Sequence, residues 1–314
     1  MRPSRVIGHF EGAARGPLLI CFGGIHGNEI AGVKAIKTVI RLLEREAEIN
    51  PGFTFRGAIL GLHGNIQATI AGTRFIRTDL NRLWTPAHIQ RLQSSPRESL
   101  HDEDAELYDL LHHIKARITT YQPEQLFLVD LHTTSAGGGI FTVAADTSES
   151  VQLGLAMRAP VITGLLKGLE GTTLQYFTTE NTGIPTTGAS FESGQHDDPL
   201  SVNRAIAGII NCMHQIGCLP DGAVENRYDQ LLIHYSVGLP KIAELVSSHR
   251  VHPGDQFRMR PGFVNFQPIK KGEVLAYDIH GPITAIADGL ILMPLYQPQG
   301  SDGFFIVRPV LTPQ

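Results

Sequence analysis

Apolar and polar positions alternate between two periods along the first two-thirds of the chain. Residues 17–23, PLLICFG, form a short apolar run closed by proline and glycine, the pattern of a strand buried on both faces. From Glu29 to about Glu48 the apolar residues Ile30, Val33, Ile36, Ile40 and Leu43 recur at helical spacing. Lys34, Lys37, Arg41 and Arg45 occupy the opposite face. A second strand, FRGAILGLHGN (55–65), follows the Pro51-Gly52 break, and TRFIRTDLNRLW (73–84) has no regular period. A helix is predicted over 100–118, and QLFLVDLHTT (125–134) reads as another buried strand ending at a histidine. VITGLL (161–166) and PTTGASFESGQ (185–195) read as further strands, and 200–216 as an amphipathic helix. Strand, helix, strand, helix, strand predicts a mostly parallel mixed sheet flanked by helices.

After Gly217 the pattern changes. Short apolar runs, DQFRM, GFVNF, EVLAYD, ITAIA, LILMP and FFIVRP, are cut by PG, KKG, HG, DG and SDG turns. An α/β unit over 1–222 and an all-β unit over 223–314 are therefore expected.

Composition narrows the class. Among 314 residues, 42% are hydrophobic and 18% charged, as in an ordinary globular protein. The formal charge of −4 argues against a nucleic-acid or anionic-membrane partner, which would want a basic face. No run approaches the ~20 apolar residues of a membrane span. The first 17 residues lack the apolar core of a signal peptide. Cys21, Cys212 and Cys218 form an odd set without C-x-x-C spacing. They are expected reduced and buried in a cytoplasmic protein. Nothing in the pattern fixes the oligomeric state, and a homo-oligomer is compatible with it.

The glycine-rich turn GGIHGNE (23–29) joins a strand to a helix, the usual place for a phosphate at a helix N-terminus. It also carries His26 and Glu29, which phosphate binding does not need. In a parallel sheet the ligand site lies beyond the carboxyl ends of the strands. His26 and Glu29, His132 and Glu192 all fall at such ends. Two imidazoles and a carboxylate make the donor set of a catalytic zinc. A metal-binding imidazole usually donates its other N–H to a carboxylate, for which Asp79 and Asp130 are candidates. Asn81 and Arg82 would then form an anion clamp, and Arg74 could stabilise charge on a carbonyl under attack.

GGIHGNE, TRFIRTDLNR, LVDLHTTS and FESGQ, in that order, resemble the succinylglutamate desuccinylase/aspartoacylase family, a branch of the zinc carboxypeptidase superfamily. The resemblance covers most of the first 200 residues. It implies a zinc-carboxypeptidase-like sheet and a C-terminal β domain that shapes the substrate channel. It also implies one Zn2+ on His26, Glu29 and His132, with Glu192 and Arg74 catalytic. Asn81 and Arg82 would bind substrate, and Asp79 would orient a metal ligand. The implied activity is hydrolysis of the amide of a small N-acyl amino acid. The alternatives are a metallocarboxypeptidase acting on peptide C-termini and a zinc-stabilised binding protein without turnover. Aspartoacylases carry a further arginine before the catalytic glutamate, whereas 170–192 here contains no lysine or arginine. The expected substrate is therefore a different N-acyl amino acid, or a similar small carboxylate-bearing amide, rather than N-acetylaspartate.

Overall fold

The computed structural model describes residues 3–220 and 222–310. Its fourteen strands are β1 (Val6–Glu11), β2 (Ala14–Gly23), β3 (Arg56–His63), β4 (Leu126–Thr134), β5 (Phe141–Ala144), β6 (Val161–Thr163), β7 (Thr186–Gln195), β8 (Ile242–Arg250), β9 (Arg258–Met259), β10 (Gln267–Ile269), β11 (Val274–Asp278), β12 (Gly281–Thr284), β13 (Gly289–Leu292) and β14 (Asp302–Pro309). Eleven of them form one sheet in the order β1-β3-β2-β4-β7-β5-β6-β8-β14-β13-β10, and β12-β11-β9 form a second. The pairs β3/β2, β2/β4 and β4/β7 are parallel. Past β8 the pairs are antiparallel.

The parallel strands are buried on both faces because their residues alternate between two cores. Leu18, Ile20 and Phe22 of β2 join one core with Trp84 and the helix Asp102–Tyr121. Leu19 and Cys21 join the other, beneath the helices Ala31–Ile49 and Leu200–Gln215. Phe22 is fully buried, with its ring centroid 5.7 Å from Trp84 and 5.8 Å from Phe177. Burial of such a side chain contributes about 1.5–3 kcal/mol. The mostly parallel mixed sheet, its flanking helices and an antiparallel β region after 240 match the sequence-based expectation.

Several elements depart from the sequence pattern, among them β1, the helices Pro86–Gln93 and Ser148–Ala156, and the helix Asp229–Ser236 inside the expected all-β unit. GFVNF (262–266) is not a strand: Phe266 has φ of +65°, and the Asn265 side chain is spent on Thr134 Oγ1 and the Met293 N–H. The segment is a loop pinned against the end of β4. Strands β5 and β8 carry no clear periodic signal, β5 because it has four residues and β8 because IAELVSSHR mixes polar residues into both faces. Through β6–β8 pairing, β8, β14, β13 and β10 continue the main sheet, while β9, β11 and β12 stand apart in the second. Cys21, Cys212 and Cys218 are free and buried. Among the described residues no helix is long and apolar enough to cross a membrane.

Candidate metal centre

The turn after β2 is possible because of its glycines. Gly24 has φ of +71°, where L side chains are strained, and a Cβ on Gly27 would sit 2.2 Å from the Ala68 carbonyl carbon. The chain therefore doubles back, with the Glu29 N–H donating to the His26 carbonyl at 3.0 Å, before the helix begins at Ala31. This brings His26 and Glu29 to the carboxyl edge of the sheet beside β4.

On β4 and β7 the placement follows from strand periodicity. Asp130 and His132 are two residues apart and share one face, while Val129 and Leu131 enter the opposite core. Across the parallel register His132 lies opposite Glu192. His26, Glu29 and His132 are all buried, and one donor atom from each lies within 4.8 Å of the other two.

The imidazoles are oriented in the same sense. Nδ1 of His26 lies 2.9 Å from Glu29 Oε1, and Nδ1 of His132 lies 3.0 Å from Glu29 Oε2. The opposite nitrogens face other carboxylates: His26 Nε2 is 3.2 Å from Asp79 Oδ1, and His132 Nε2 is 3.0 Å from Asp130 Oδ2. An imidazole held from behind by a carboxylate, with its other nitrogen presented to a common point, is the arrangement of a metal-ligating histidine. Two nitrogens and a carboxylate suit zinc. The donor set therefore fits the metal read from the sequence.

Asp79 holds several groups at once. It caps the short 3-10 turn Leu80–Arg82 by accepting the Asn81 N–H at 2.8 Å, and its Oδ2 takes Arg74 Nη2 at 3.2 Å. Burial pushes its carboxyl up, but His26 and Arg74 outweigh that and hold it well below the usual range. Glu29 is likewise depressed, burial being outweighed by the two imidazoles. His132 moves upward, since Asp130 and Glu29 outweigh its burial.

Glu192 behaves differently. Its carboxyl is pushed up to about 8, chiefly by burial, which the nearby His132 only partly opposes. Its Oε2 is buried and has no hydrogen-bond partner. Arg74 Nε, Arg82 Nε and Asp130 Oδ1 are buried and unpartnered too. Buried polar atoms are rarely left so, and here four belong to residues that line one cavity.

That cavity has a volume of about 120 Å³ and is lined by His26, Glu29, His132, Glu192 and the arginines Arg74 and Arg82. Asn81 also lines it, with its Oδ1 accepting the Thr173 N–H at 2.9 Å. Every residue singled out from the sequence thus comes to this cavity or, for Asp79, directly behind it. The arginines are not free, however. Arg74 Nη1 is 3.2 Å from Glu29, and Arg82 Nη2 is 2.6 Å from Asp302 on β14.

Sequence reasoning missed Asp302, Gln297 and the leucines between 165 and 174, all of which line the cavity. Gln297 accepts from Asn28 at 2.9 Å and lies 3.2 Å from His196, which reaches Thr133 Oγ1 at 2.7 Å. His63, by contrast, bonds Thr69 and stays outside the cavity.

Fold and cavity together define an α/β protein with a candidate ligand site beyond the carboxyl ends of parallel strands. The sequence supplies the family: the model of the succinylglutamate desuccinylase/aspartoacylase catalytic domain matches residues 15–214, and the chain belongs to that family. A succinylglutamate desuccinylase of Pseudomonas fluorescens is 32% identical over 122 residues, 39% of this chain and 32% of that protein. The match thus spans about a third of the curated relative's length. Two solved structures share the fold. A succinylglutamate desuccinylase/aspartoacylase from Rhodobacter sphaeroides aligns with TM-score 0.63 at 17% identity, over 95% of this chain and 86% of that one. A succinylglutamate desuccinylase from Vibrio parahaemolyticus aligns with TM-score 0.60 at 19% identity, over 96% and 83%.

Proposed function

We propose that the protein is a zinc-dependent hydrolase that cleaves the amide bond of a small N-acyl amino acid. The observation that carries this reading is the convergence of His26 Nδ1, His132 Nδ1 and Glu29 on one point, with the unpartnered Glu192 Oε2 facing the same cavity. The names of its desuccinylase relatives agree with it. Zinc on these donors supplies a Lewis acid for the scissile carbonyl and lowers the pKa of water toward ~7.

The remaining work falls to the chain. Glu192 accepts the proton of the attacking water at Oε2 and passes it to the leaving amine. Such general acid–base help is worth roughly 10²–10⁴-fold. Arg74 presents its free Nε to the developing oxyanion, while Glu29 and Asp79 hold its other two nitrogens in place. Arg82 Nε and Asn81 take the substrate carboxylate and set which bond lies over the metal. Asp79 orients His26.

In this reading residues 1–222 carry the chemistry and 223–314 shape the channel. Asp302, Met293 and Gln297, all from the second segment, line the cavity in support of that division. The small cavity favours a single amide over a peptide chain. The free cysteines suit a cytoplasmic setting. Metal analysis of the purified protein, with a hydrolysis screen of N-acyl amino acids and C-terminal peptides, tests the proposal. Stoichiometric zinc and deacylation support it; bound zinc with every amide intact would leave a binding protein, and peptide trimming a carboxypeptidase.

A further inference from the structure

The charge lining the cavity is unevenly spent. Among the described residues, its lysines and arginines are Arg74 and Arg82 alone, set against the carboxylates of Glu29, Asp130, Glu192 and Asp302. Arg74 is held by Glu29 and Asp79, and Arg82 by Asp302. Of the two guanidinium groups, the Nε–H of each is buried without any partner. On the reading above, Arg74 Nε serves the oxyanion, so Arg82 Nε remains for one carboxylate of the substrate. Away from the proposed metal, a second carboxylate would meet no further lysine or arginine.

The rest of the wall is uncharged: hydroxyl and amide side chains such as Thr172, Thr173, Ser190, Gln297 and Ser301 lie between apolar ones. Leu165, Leu166 and Leu169 come from the turn after β6, Leu174 from the helix Thr173–Tyr176, Met293 from just past β13 and Phe305 from β14. The leucine-bearing segment is fixed to the clamp itself. A Cβ on Gly171 would lie 2.3 Å from the Arg82 carbonyl oxygen, and the Thr173 N–H is bound by Asn81. The apolar wall is therefore built beside the carboxylate clamp, in the stretch where a dicarboxylate reader would need a cation.

We infer that the cavity takes a monocarboxylate: an N-acyl amino acid whose group beyond the clamp, on the acyl or the amino-acid side, is apolar. The inference rests on the deacylase reading of the site, but it concerns recognition and is tested by binding. A charged group placed on this wall would lose its hydration without a partner, a penalty of at least about tenfold in affinity.

The experiment is calorimetric titration of the Glu192→Gln protein, which traps intact amides, alongside kcat/KM of the wild type. N-acetyl-leucine is compared with N-acetyl-aspartate and Nα-acetyl-lysine, and N-butanoyl-alanine with N-succinyl-alanine. The first set varies the amino-acid side and the second the acyl side, so the apolar end is identified. Apolar members should bind at least about tenfold tighter than charged counterparts of similar size on one side. Equal or tighter binding of the charged members on both sides overturns the inference, as does failure of every member to bind. Apolar preference in binding with no hydrolysis by the wild type would leave the inference standing and remove the deacylase reading. Leu169→Lys and Leu166→Lys, both at half-buried positions, supply the missing cation. In whichever keeps the wild-type circular dichroism, the gap between succinyl or aspartyl and apolar ligands should close by about tenfold. An unchanged gap in a folded variant places the variable group elsewhere and contradicts the inference.

Discussion

The two ends of the eleven-stranded sheet share hydrogen bonds but not tasks. At the parallel end, β2, β4 and β7 deliver His26, Glu29, His132 and Glu192 to one edge. At the antiparallel end, β13 and β14 deliver Asp302 and Phe305 and the adjoining Met293, with none of the proposed metal donors. The difference has a physical origin. Parallel strands end together on one side, so polar groups at several strand ends and in the turns that follow them converge there. Antiparallel strands bring one side chain at a time to the rim, which suits a wall that selects. In the proposed reading, chemistry belongs to the first end and selectivity to the second.

Substitutions at the parallel end should be the more severe. His132→Ala removes a donor and leaves Glu29 and Asp130 facing each other across a buried gap; metal analysis should find the site empty and the assay no turnover. Retention of stoichiometric metal in that variant would break the comparison at its strongest point. Glu192→Gln should keep the metal and lose roughly 10²–10⁴-fold in kcat, read by parallel metal analysis and steady-state kinetics. Unchanged kcat would remove Glu192 from the mechanism. Asp79→Asn leaves the His26 imidazole without its anionic partner, and a chelator competition should show metal affinity lowered about 10–100-fold. At the antiparallel end the effect should be small and of opposite sign. Asp302→Asn relieves Arg82 of its 2.6 Å partner, so KM should fall about two- to fivefold with kcat unchanged. A collapse of kcat in this variant would move chemistry into the second end.

The same division decides what the sequence could reveal. His26 and Glu29 sit in one turn, and Asp130 and His132 two apart on one strand, so strand periodicity and a glycine turn expose them. Glu192 is legible because a small-residue strand ends on it. The Arg82–Asp302 pair joins positions 220 residues apart, and neither neighbourhood hints at the other. The leucines of 165–174 look in sequence like ordinary core, and only tertiary packing turns them toward the cavity. Phe266 shows the converse. GFVNF has the composition of a strand, yet the side-chain bonds of Asn265 hold it as a loop, an outcome set by partners distant in the chain.

Anomalous diffraction at the zinc edge, on crystals of the protein as purified, tests the central claim most directly. The account predicts one strong peak within bonding distance of His26 Nδ1, His132 Nδ1 and a Glu29 carboxylate oxygen. A peak at other residues, or none in crystals soaked with zinc, would contradict it.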